Sequence, residues 1–291
     1  MPKLEYLITA EDDFSTVRHI VLKRLRLTRS FYARLKTQWG IRLDGETARA
    51  DQTVRKGQIL TAQWQDEGAE NLTPYTVPFQ IPYEDEYLLV IDKPAPLPTM
   101  CSPHQSGPTL ENALFAYLGC PVDYVFRPVN RLDKGTSGLM AVARDGHAQQ
   151  RMQSLLHTDA FIREYLAVAV GQMPEKAGVI DLPLGKGEGI KRVIDENGQA
   201  ARTHYRVEEE RNGLSLIRLR LETGRTHQIR CHLSAMHCPV LGDYLYGQED
   251  ARLPGRFALH ACYIQLVHPI TGKEINLSSP LPEEIQRCFS S

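Results

Sequence analysis

Residues 217–222 alternate between aliphatic and charged side chains, and this pattern constrains the fold more than any other feature of the chain. Ile217, Leu219 and Leu221 would share one face of a strand, with charged side chains on the other face. Asp145 predicts the start of a helix elsewhere in the chain. Further apolar segments of strand length occur at residues 87–92, 164–170, 259–267 and 274–277. We therefore predict one α+β domain built on a sheet.

The N-terminal part of the chain is strongly basic. Residues 14–43 contain no acidic residue but eight arginines and lysines, so they can form a face that binds phosphate. Ser15 is the predicted N-cap of a first helix, and residues 30–36 predict a second helix. Short strands are predicted at residues 41–46 and 57–64. The candidate RNA-binding residues are Arg18, Lys23, Arg24, Arg26, Arg29 and Arg34.

This order of elements resembles a divergent S4-type RNA-binding domain over residues 12–65. The alternative is a solvated pair of basic helices that merely caps the larger domain. Acidic and polar residues follow at positions 66–71 and are typical of a linker. We therefore predict an S4-like module at residues 1–66, a linker at residues 67–79 and a larger domain at residues 80–291.

Composition excludes several classes of protein. A chain of 291 residues with 42% hydrophobic residues can bury a large core. Its net charge of −1 argues against coating nucleic acid through overall charge. The six cysteines lack the paired spacing of zinc or redox motifs, residues 1–13 lack the basic and apolar pattern of a signal peptide, and no apolar run is long enough to span a membrane. We expect a cytoplasmic monomer with no cofactor, metal, membrane contact or obligate protein partner.

A charged loop with two glycines occupies residues 130–138 and leads into an apolar stretch. Asp133 is its candidate catalytic carboxylate, because Arg131 and Lys134 would favour the ionised form. An aspartate in such a loop is also common as a turn or capping residue. A persistent carboxylate can act as a nucleophile, a general base or a metal ligand, and the loop alone does not select one of these roles.

Two further segments can complete a site. Residues 224–233 predict a helix with a buried aliphatic stripe, and His227 and Arg230 would share the adjacent face. Arg230 can then pair with a carboxylate, although an ordinary surface arginine would fit the same pattern. Tyr165 lies in an apolar strand, where an aromatic side chain usually belongs to the core. If Tyr165 instead lines a cleft, its ring can stack on a base.

Together these segments closely resemble the RluA family of RNA pseudouridine synthases over residues 80–285. The resemblance implies a mixed, mainly antiparallel sheet with a central active-site cleft. It also implies isomerisation of uridine in structured RNA, in which the bond from C1′ to N1 breaks and C1′ is rejoined to C5. Ribosomal RNA is the expected target and transfer RNA the alternative. The shared motifs are Lys93-Pro94, Arg131-Leu132-Asp133 with Thr136-Ser137-Gly138, Tyr165, residues 224–230 and Leu241-Gly242-Asp243.

The resemblance also implies roles for individual residues. Asp133 is the expected catalytic carboxylate, with Tyr165 against the uracil and Arg230 as the ion-pair partner of Asp133. Arg225 is the less favoured partner. Arg131 is expected to displace the target nucleotide and occupy the vacated space. The expected substrate-binding residues are Arg131, Thr136, Arg225 and His227.

One departure from the family pattern and three rival interpretations accompany this assignment. The family usually has histidine where this chain has Asn130, and an amide can hydrogen-bond but cannot titrate. Histidines and cysteines at positions 227–238 suggest zinc only superficially, because their spacing matches no recognised ligand pattern. Residues 130–133 also resemble a kinase catalytic loop, but the accompanying kinase motifs are absent. The remaining alternative is a non-catalytic RNA-binding protein or RNA chaperone that retains the synthase fold.

Overall fold

The computed structural model describes residues 3–65, 68, 72–102 and 107–290. Parts of the predicted segments lie outside the described residues. These parts are residues 1, 2 and 66 of the module, residues 67 and 69–71 of the linker, and residues 103–106 and 291 of the larger domain.

The N-terminal part has a small core of its own, in which Val17, Ile20 and Leu35 are fully buried. Its strands pair in the order β1-β4-β2-β3, and every pair is antiparallel. Its elements are β1 (Lys3–Leu7), α1 (Val17–His19, continued as a π-helical turn over Ile20–Arg24), α2 (Arg29–Thr37), β2 (Ile41–Leu43), β3 (Glu46–Thr47) and β4 (Ile59–Gln63).

The start of the first helix differs from the sequence prediction. Thr16 is the N-cap, and not Ser15, because the Thr16 hydroxyl accepts a hydrogen bond from the backbone N–H of His19 at 3.2 Å. The second predicted helix is present as α2, whose N-cap Thr28 accepts a hydrogen bond from the N–H of Phe31. Serine and threonine are both favoured N-caps by composition, so the backbone path decides between adjacent ones.

The rest of the described chain builds one large sheet with helices around it, and Leu184–Lys186 pairs with Arg192–Ile194 in a separate two-stranded antiparallel sheet. The strand order is β5-β6-β7-β14-β8-β13-β12-β9, and β15 also pairs with β14. Among the described strands, only β7 and β14 run parallel, so the predicted mixed and mainly antiparallel sheet is confirmed. The strands are β5 (Gln80–Glu84), β6 (Leu88–Lys93), β7 (Ser137–Ala143), β8 (Phe161–Val170), β9 (Ala177–Asp181), β10 (Leu184–Lys186), β11 (Arg192–Ile194), β12 (Arg202–Arg211), β13 (Leu214–Leu221), β14 (Leu259–Val267) and β15 (Glu274–Ser278). The helices are α3 (Leu110–Tyr117), α4 (Gly146–Leu155), α5 (Gln228–Ala235) and α6 (Glu283–Ser290).

The alternating segment forms β13 in the interior of this sheet. Ile217 and Leu219 are fully buried, whereas Arg218 faces the other side and forms an ion pair with Glu164 of the neighbouring β8. Antiparallel register places Leu219 opposite Tyr165. The alternation therefore fixes which face of β8 carries Tyr165, since neighbouring residues of a strand point to opposite faces.

Helix α4 connects the two parts of the molecule. The side-chain amide of Gln150 accepts a hydrogen bond from the N–H of Thr28 at 2.9 Å and donates one to the carbonyl of Arg26 at 2.8 Å. The Trp64 ring lies 6.5 Å from the His147 ring, centroid to centroid. Gln153 of the same helix lines the cleft described below. The N-terminal part therefore rests on a helix that also forms a wall of that cleft.

Candidate active site

A cleft of about 570 Å³ opens over the sheet, between the loop that precedes β7 and the start of α5. Asp133, Tyr165 and Arg230 all line this cleft, although up to 97 positions separate them in the chain. Strand β8 supplies the tyrosine, the loop supplies the aspartate and α5 supplies the arginine. The fold thus brings together the three candidate catalytic residues.

Arg230 lies at the centre of a chain of charges. Its Nη1 donates to Oδ2 of Asp133 at 3.0 Å. Its Nε and Nη2 donate to the two carboxylate oxygens of Asp243, at 2.6 and 2.8 Å. The Arg230 and Asp243 side chains are almost completely buried, whereas the Asp133 side chain is 27% exposed. Asp243 therefore fixes the guanidinium from behind, and the guanidinium orients the carboxylate that reaches the cleft.

Two aromatic rings hold the guanidinium of Arg230 in place. The centroid of the Phe257 ring lies 4.2 Å from the guanidinium carbon, and the centroid of the Tyr246 ring lies 5.0 Å from it. Burial lowers the pKa of Arg230, but the hydrogen bonds and charges of Asp243 and Asp133 outweigh this effect and raise it above its usual range. Arg230 is thus a permanent cation whose side chain has little freedom to rotate.

The loop that carries Asp133 is fastened on both sides. The Asn130 side-chain oxygen accepts a hydrogen bond from the N–H of Ala141 in β7 at 2.9 Å, so the amide acts as a backbone anchor. The Thr99 hydroxyl donates to the carbonyl of Leu132 at 2.6 Å. These bonds flank Asp133 and restrict its backbone. The substitution at position 130 is therefore compatible with a structural role that needs no titration.

Gly135, two residues after Asp133, allows an aromatic ring to pack closely against the loop. A Cβ atom added to Gly135 would lie 2.6 Å from a carbon of the Phe257 ring. Any side chain at this position would displace the ring that lies under Arg230. Gly138 has a φ angle of +108°, which disfavours other residues, and its backbone lies against that of Ala261.

Tyr165 lies beside this ion pair with only 5% of its surface exposed. Burial raises the pKa of its hydroxyl, and the nearby negative charge of Asp133 acts in the same direction, whereas Arg163 opposes it. Tyr165 is therefore a neutral phenol at physiological pH. Its ring offers an apolar surface against which a base can lie.

The four predicted substrate-binding residues all line the cleft, but in different ways. Thr136 is buried and Arg131 is exposed. Arg225 donates to the carbonyl of Ala200 at 3.0 Å, so Arg230 and not Arg225 is the arginine that contacts Asp133. His227 does not share the helical face of Arg230, because it is the N-cap of α5 with a left-handed φ of +58°.

The His227 imidazole nevertheless faces the site. Its Nδ1 lies 3.1 Å from the Tyr246 hydroxyl. Burial lowers the pKa of His227, although the charge of Asp133 opposes this effect, so the neutral ring is favoured at physiological pH. A helix pattern alone cannot distinguish an N-cap from the first helical residue, which explains the difference from the prediction.

The candidate RNA-binding residues of the N-terminal part differ in availability. Arg24 is engaged with Asp12, through Nε and Oδ1 at 2.5 Å, and also with Glu11. Burial raises the pKa of Asp12, but hydrogen bonds from Tyr6, Thr9 and Arg24 outweigh it and hold the pKa below its usual range. The other candidates lie on the exposed surface, and they are Arg18, Lys23, Arg26, Arg29 and Arg34.

Sequence reasoning assigned no role to three charged residues at or behind the site. Asp243 was part of a family motif, and its position after Leu241-Gly242 was the only signal. Arg163 lies two residues before Tyr165, which places it on the same face of β8. Lys93 ends the apolar strand β6 and is fully buried, with Nζ donating to the carbonyls of Leu97 and Pro94 at 2.7 and 3.0 Å.

Known proteins resemble this chain in sequence and in fold. A family model described as RNA pseudouridylate synthase matches residues 87–235, which include Asp133, Tyr165 and Arg230. The chain belongs to the RNA pseudouridine synthase family. Ribosomal large subunit pseudouridine synthase D of Xanthomonas campestris is 38% identical to this synthase, over 86% of this chain and 80% of its own length. An uncharacterized RNA pseudouridine synthase of Bacillus subtilis, YjbO, is 34% identical over 86% and 89%.

A solved structure agrees with the fold of this synthase. Human RNA pseudouridylate synthase domain containing 4 superimposes with a TM-score of 0.57 and 26% identity, over 72% of this chain and 92% of that chain. The RluA-family assignment made from the motifs is confirmed, and this synthase is an isomerase that acts on uridine in RNA. The non-catalytic alternative is not favoured. Within the described residues, no helix has the length and apolar character needed to cross a membrane.

Proposed function

We propose that this synthase isomerises specific uridines of large-subunit ribosomal RNA with Asp133 as the reacting carboxylate. The observation that carries this proposal is the buried arrangement of Asp243 and Arg230, which holds the Asp133 carboxylate at the cleft beside Tyr165. Relatives named for the ribosomal large subunit favour that target over transfer RNA. We further propose that the protein acts as a monomer in the cytoplasm.

The reaction needs a carboxylate in a fixed position and room for a base to turn. Uridine loses the bond from C1′ to N1, uracil reorients, and a bond from C1′ to C5 forms while C5 loses a proton and N1 gains one. Asp133 can attack the sugar, attack the base or first remove a sugar proton, and all three routes start from the same oriented carboxylate. Electrons balance within the nucleotide, so the isomerisation itself requires no oxidant or reductant.

The remaining cleft residues would hold the nucleotide during this rearrangement. The ring of Tyr165 provides a flat surface for uracil, and its neutral hydroxyl offers a polar contact. Arg131 is exposed at the cleft, where it can fill the space that the displaced nucleotide leaves in the RNA. Removing a base from folded RNA costs a few kcal/mol, and a cation that contacts the vacated site offsets part of that cost. Thr136, Arg225 and His227 complete the substrate contacts.

The N-terminal part would provide further contacts with RNA. We propose that residues 1–66 are an S4-like RNA-binding module, joined through a linker at residues 67–79 to a catalytic domain at residues 80–291. Five exposed arginines and lysines support this role. Contacts of Gln150 with the module would keep its basic surface in a fixed relation to the cleft.

Pseudouridine mapping of total RNA from cells with and without this gene tests the target. We expect at least one uridine of large-subunit ribosomal RNA to be converted only when the gene is present, and a plasmid copy of the wild type to restore it. A dependent site found only in transfer RNA would replace the ribosomal target. If no uridine in any RNA depends on the gene or on the purified protein, the proposed function is wrong.

A further inference from the structure

Arg163 is a cation in the wall of the cleft, and it has no role in the proposed isomerisation of uridine. It lies on β8 on the same face as Tyr165, and its guanidinium lines the cleft. Only 5% of its surface is exposed. A charged side chain that is buried to this extent normally has a partner of opposite charge.

No carboxylate of the described residues forms an ion pair with Arg163. Its Nη2 has one long hydrogen bond, 3.4 Å to the carbonyl of Leu156, and its Nε is buried without a hydrogen-bond partner. The Phe161 ring lies 5.6 Å from the guanidinium carbon and supplies only a weak attraction. The acidic neighbour on the strand, Glu164, faces the other side of the sheet and pairs with Arg218.

One neighbour of the Arg163 guanidinium is a glycine, which has no side chain to fill the adjacent space. Gly224 lies next to it, and a Cβ added to this glycine would lie 3.2 Å from Nη1 of Arg163. Arg225 and Arg131 line the same cleft, so this wall carries positive charge beyond what Asp133 and the buried Asp243 offset. An anion from outside the protein is therefore the partner that this geometry accommodates.

We propose that Arg163 binds a backbone phosphate of the RNA next to the uridine that enters the cleft. This inference rests on the proposed function, because it requires a uridine nucleotide in contact with Asp133 and Tyr165. A guanidinium presents several N–H donors in one plane and matches two phosphate oxygens. Tyr165 would contact the base while Arg163, on the same strand face, fixes the backbone. The strand thereby sets the position of the sugar relative to the Asp133 carboxylate.

This arrangement predicts that the protein loses no stability when the charge of Arg163 is removed. Arg163→Met removes a buried cation that has no counterion among the described residues, so its midpoint of thermal unfolding should be equal to that of the wild type or higher. Its turnover of RNA should fall. If Arg163 had only a structural role, its loss would instead lower the midpoint of thermal unfolding.

The anion site itself can be tested with inorganic phosphate, before any RNA target is known. At matched ionic strength, phosphate should raise the unfolding midpoint of the wild type more than that of Arg163→Gln. Arg220→Gln is the matched control, because Arg220 lies on the opposite face of the sheet and pairs with Asp159. The control should respond to phosphate as the wild type does. Equal shifts in all three proteins would overturn the anion site.

Binding to RNA identifies the source of the phosphate. The probe is a synthetic RNA stem-loop around the mapped uridine, with either natural linkages or one neutral methylphosphonate beside that uridine. Arg163→Gln should weaken binding of the natural RNA roughly tenfold and lower the salt slope by about 0.7 to 0.9, as expected for one lost phosphate contact. The methylphosphonate should weaken RNA binding by the wild type and by Arg220→Gln. It should weaken RNA binding by Arg163→Gln very little, because that variant has already lost the phosphate contact.

The outcomes separate this inference from the proposed function. If Arg163→Gln and the methylphosphonate weaken RNA binding additively, Arg163 does not contact that phosphate and the proposal is wrong. A contact with a uracil carbonyl would give this additive result. If no uridine depends on the protein, the proposed function fails, and a phosphate response confined to proteins that retain Arg163 would then indicate a site for free phosphate only.

Discussion

The cleft and the N-terminal module both carry many arginines, but their charges are arranged in different ways. Arg230 in the cleft is buried and contacts two carboxylates from distant parts of the chain. The candidate RNA-binding cations of the module are exposed, and Arg24 among them is neutralised locally by Asp12. Substitution of the buried Arg230 should therefore alter stability and chemistry together, whereas substitution of the exposed cations of the module should alter mainly RNA affinity.

The largest effect on stability is expected for Arg230→Gln. This change leaves the buried Asp243 carboxylate without its partner, and breaking a buried ion pair costs about 3–5 kcal/mol. Chemical denaturation should show this loss in the free energy of unfolding, and pseudouridine formation should fail at permissive temperature. Arg225→Gln is the control for stability, with a change below about 0.5 kcal/mol because that arginine is partly exposed. Equal stability of both variants would contradict the difference between buried and exposed cations.

A smaller effect is expected in the pH dependence of stability at Lys93. Burial lowers the pKa of this lysine from 10.5 to about 7, although Asp133 opposes the shift. Unfolding between pH 7 and 10.5 therefore takes up a proton at Lys93, so this residue makes the folded state more stable as pH rises through that window. Between pH 7 and pH 9, the wild type should gain about 2 kcal/mol more than Lys93→Met. Parallel curves for the two proteins would show that Lys93 keeps its charge.

Removal of residues 1–65 should reduce RNA binding while leaving the chemistry in place. Because several exposed cations are lost, we expect affinity to fall roughly tenfold or more at physiological salt and the salt slope to become shallower. Turnover at saturating RNA should change much less. Fluorescence anisotropy over a range of salt concentrations measures the slope. An unchanged slope would favour the alternative in which the module only caps the catalytic domain.

The smallest effects are expected for single cations of the module. Arg29→Gln removes an exposed charge and should lower the salt slope by up to about 0.7 to 0.9. Arg24→Gln should change RNA affinity less, because Asp12 and Glu11 already engage this arginine. Arg24→Gln should instead lower stability slightly. The reverse order of effects on affinity would show that the ion pair opens when RNA binds.

Local sequence patterns predicted the parts of the fold that depend on residues close together in the chain. Asp145 caps α4, as its position before a helical segment predicted, because an N-cap contacts only the next few N–H groups. The apolar segments at residues 259–267 and 274–277, predicted as strands, form β14 and β15 and pair with each other. The choice between Ser15 and Thr16 as a cap depends on the backbone path, which the residue types leave open.

The candidate site was predictable only in part. Asp133, Tyr165 and Arg230 were found because several motifs occurred together in order. Asp243 and Arg163 were missed because their importance depends on what surrounds them in three dimensions. Asp243 gains its role by contacting Arg230, and Arg163 stands out because no carboxylate of the described residues pairs with it. Sequence spacing carries no direct information on either property.

The most direct test of Asp133 is the release of tritium from RNA labelled at C5 of uridine, since C5 loses its hydrogen when it bonds to C1′. Purified wild-type protein should release tritium from the target RNA, and Asp133→Asn should release it roughly a thousandfold more slowly or not at all. RNA affinity of the variant should stay within about threefold of the wild type, since Asn keeps the size of the side chain. If Asp133→Asn turned over within tenfold of the wild-type rate, Asp133 would not be the reacting carboxylate.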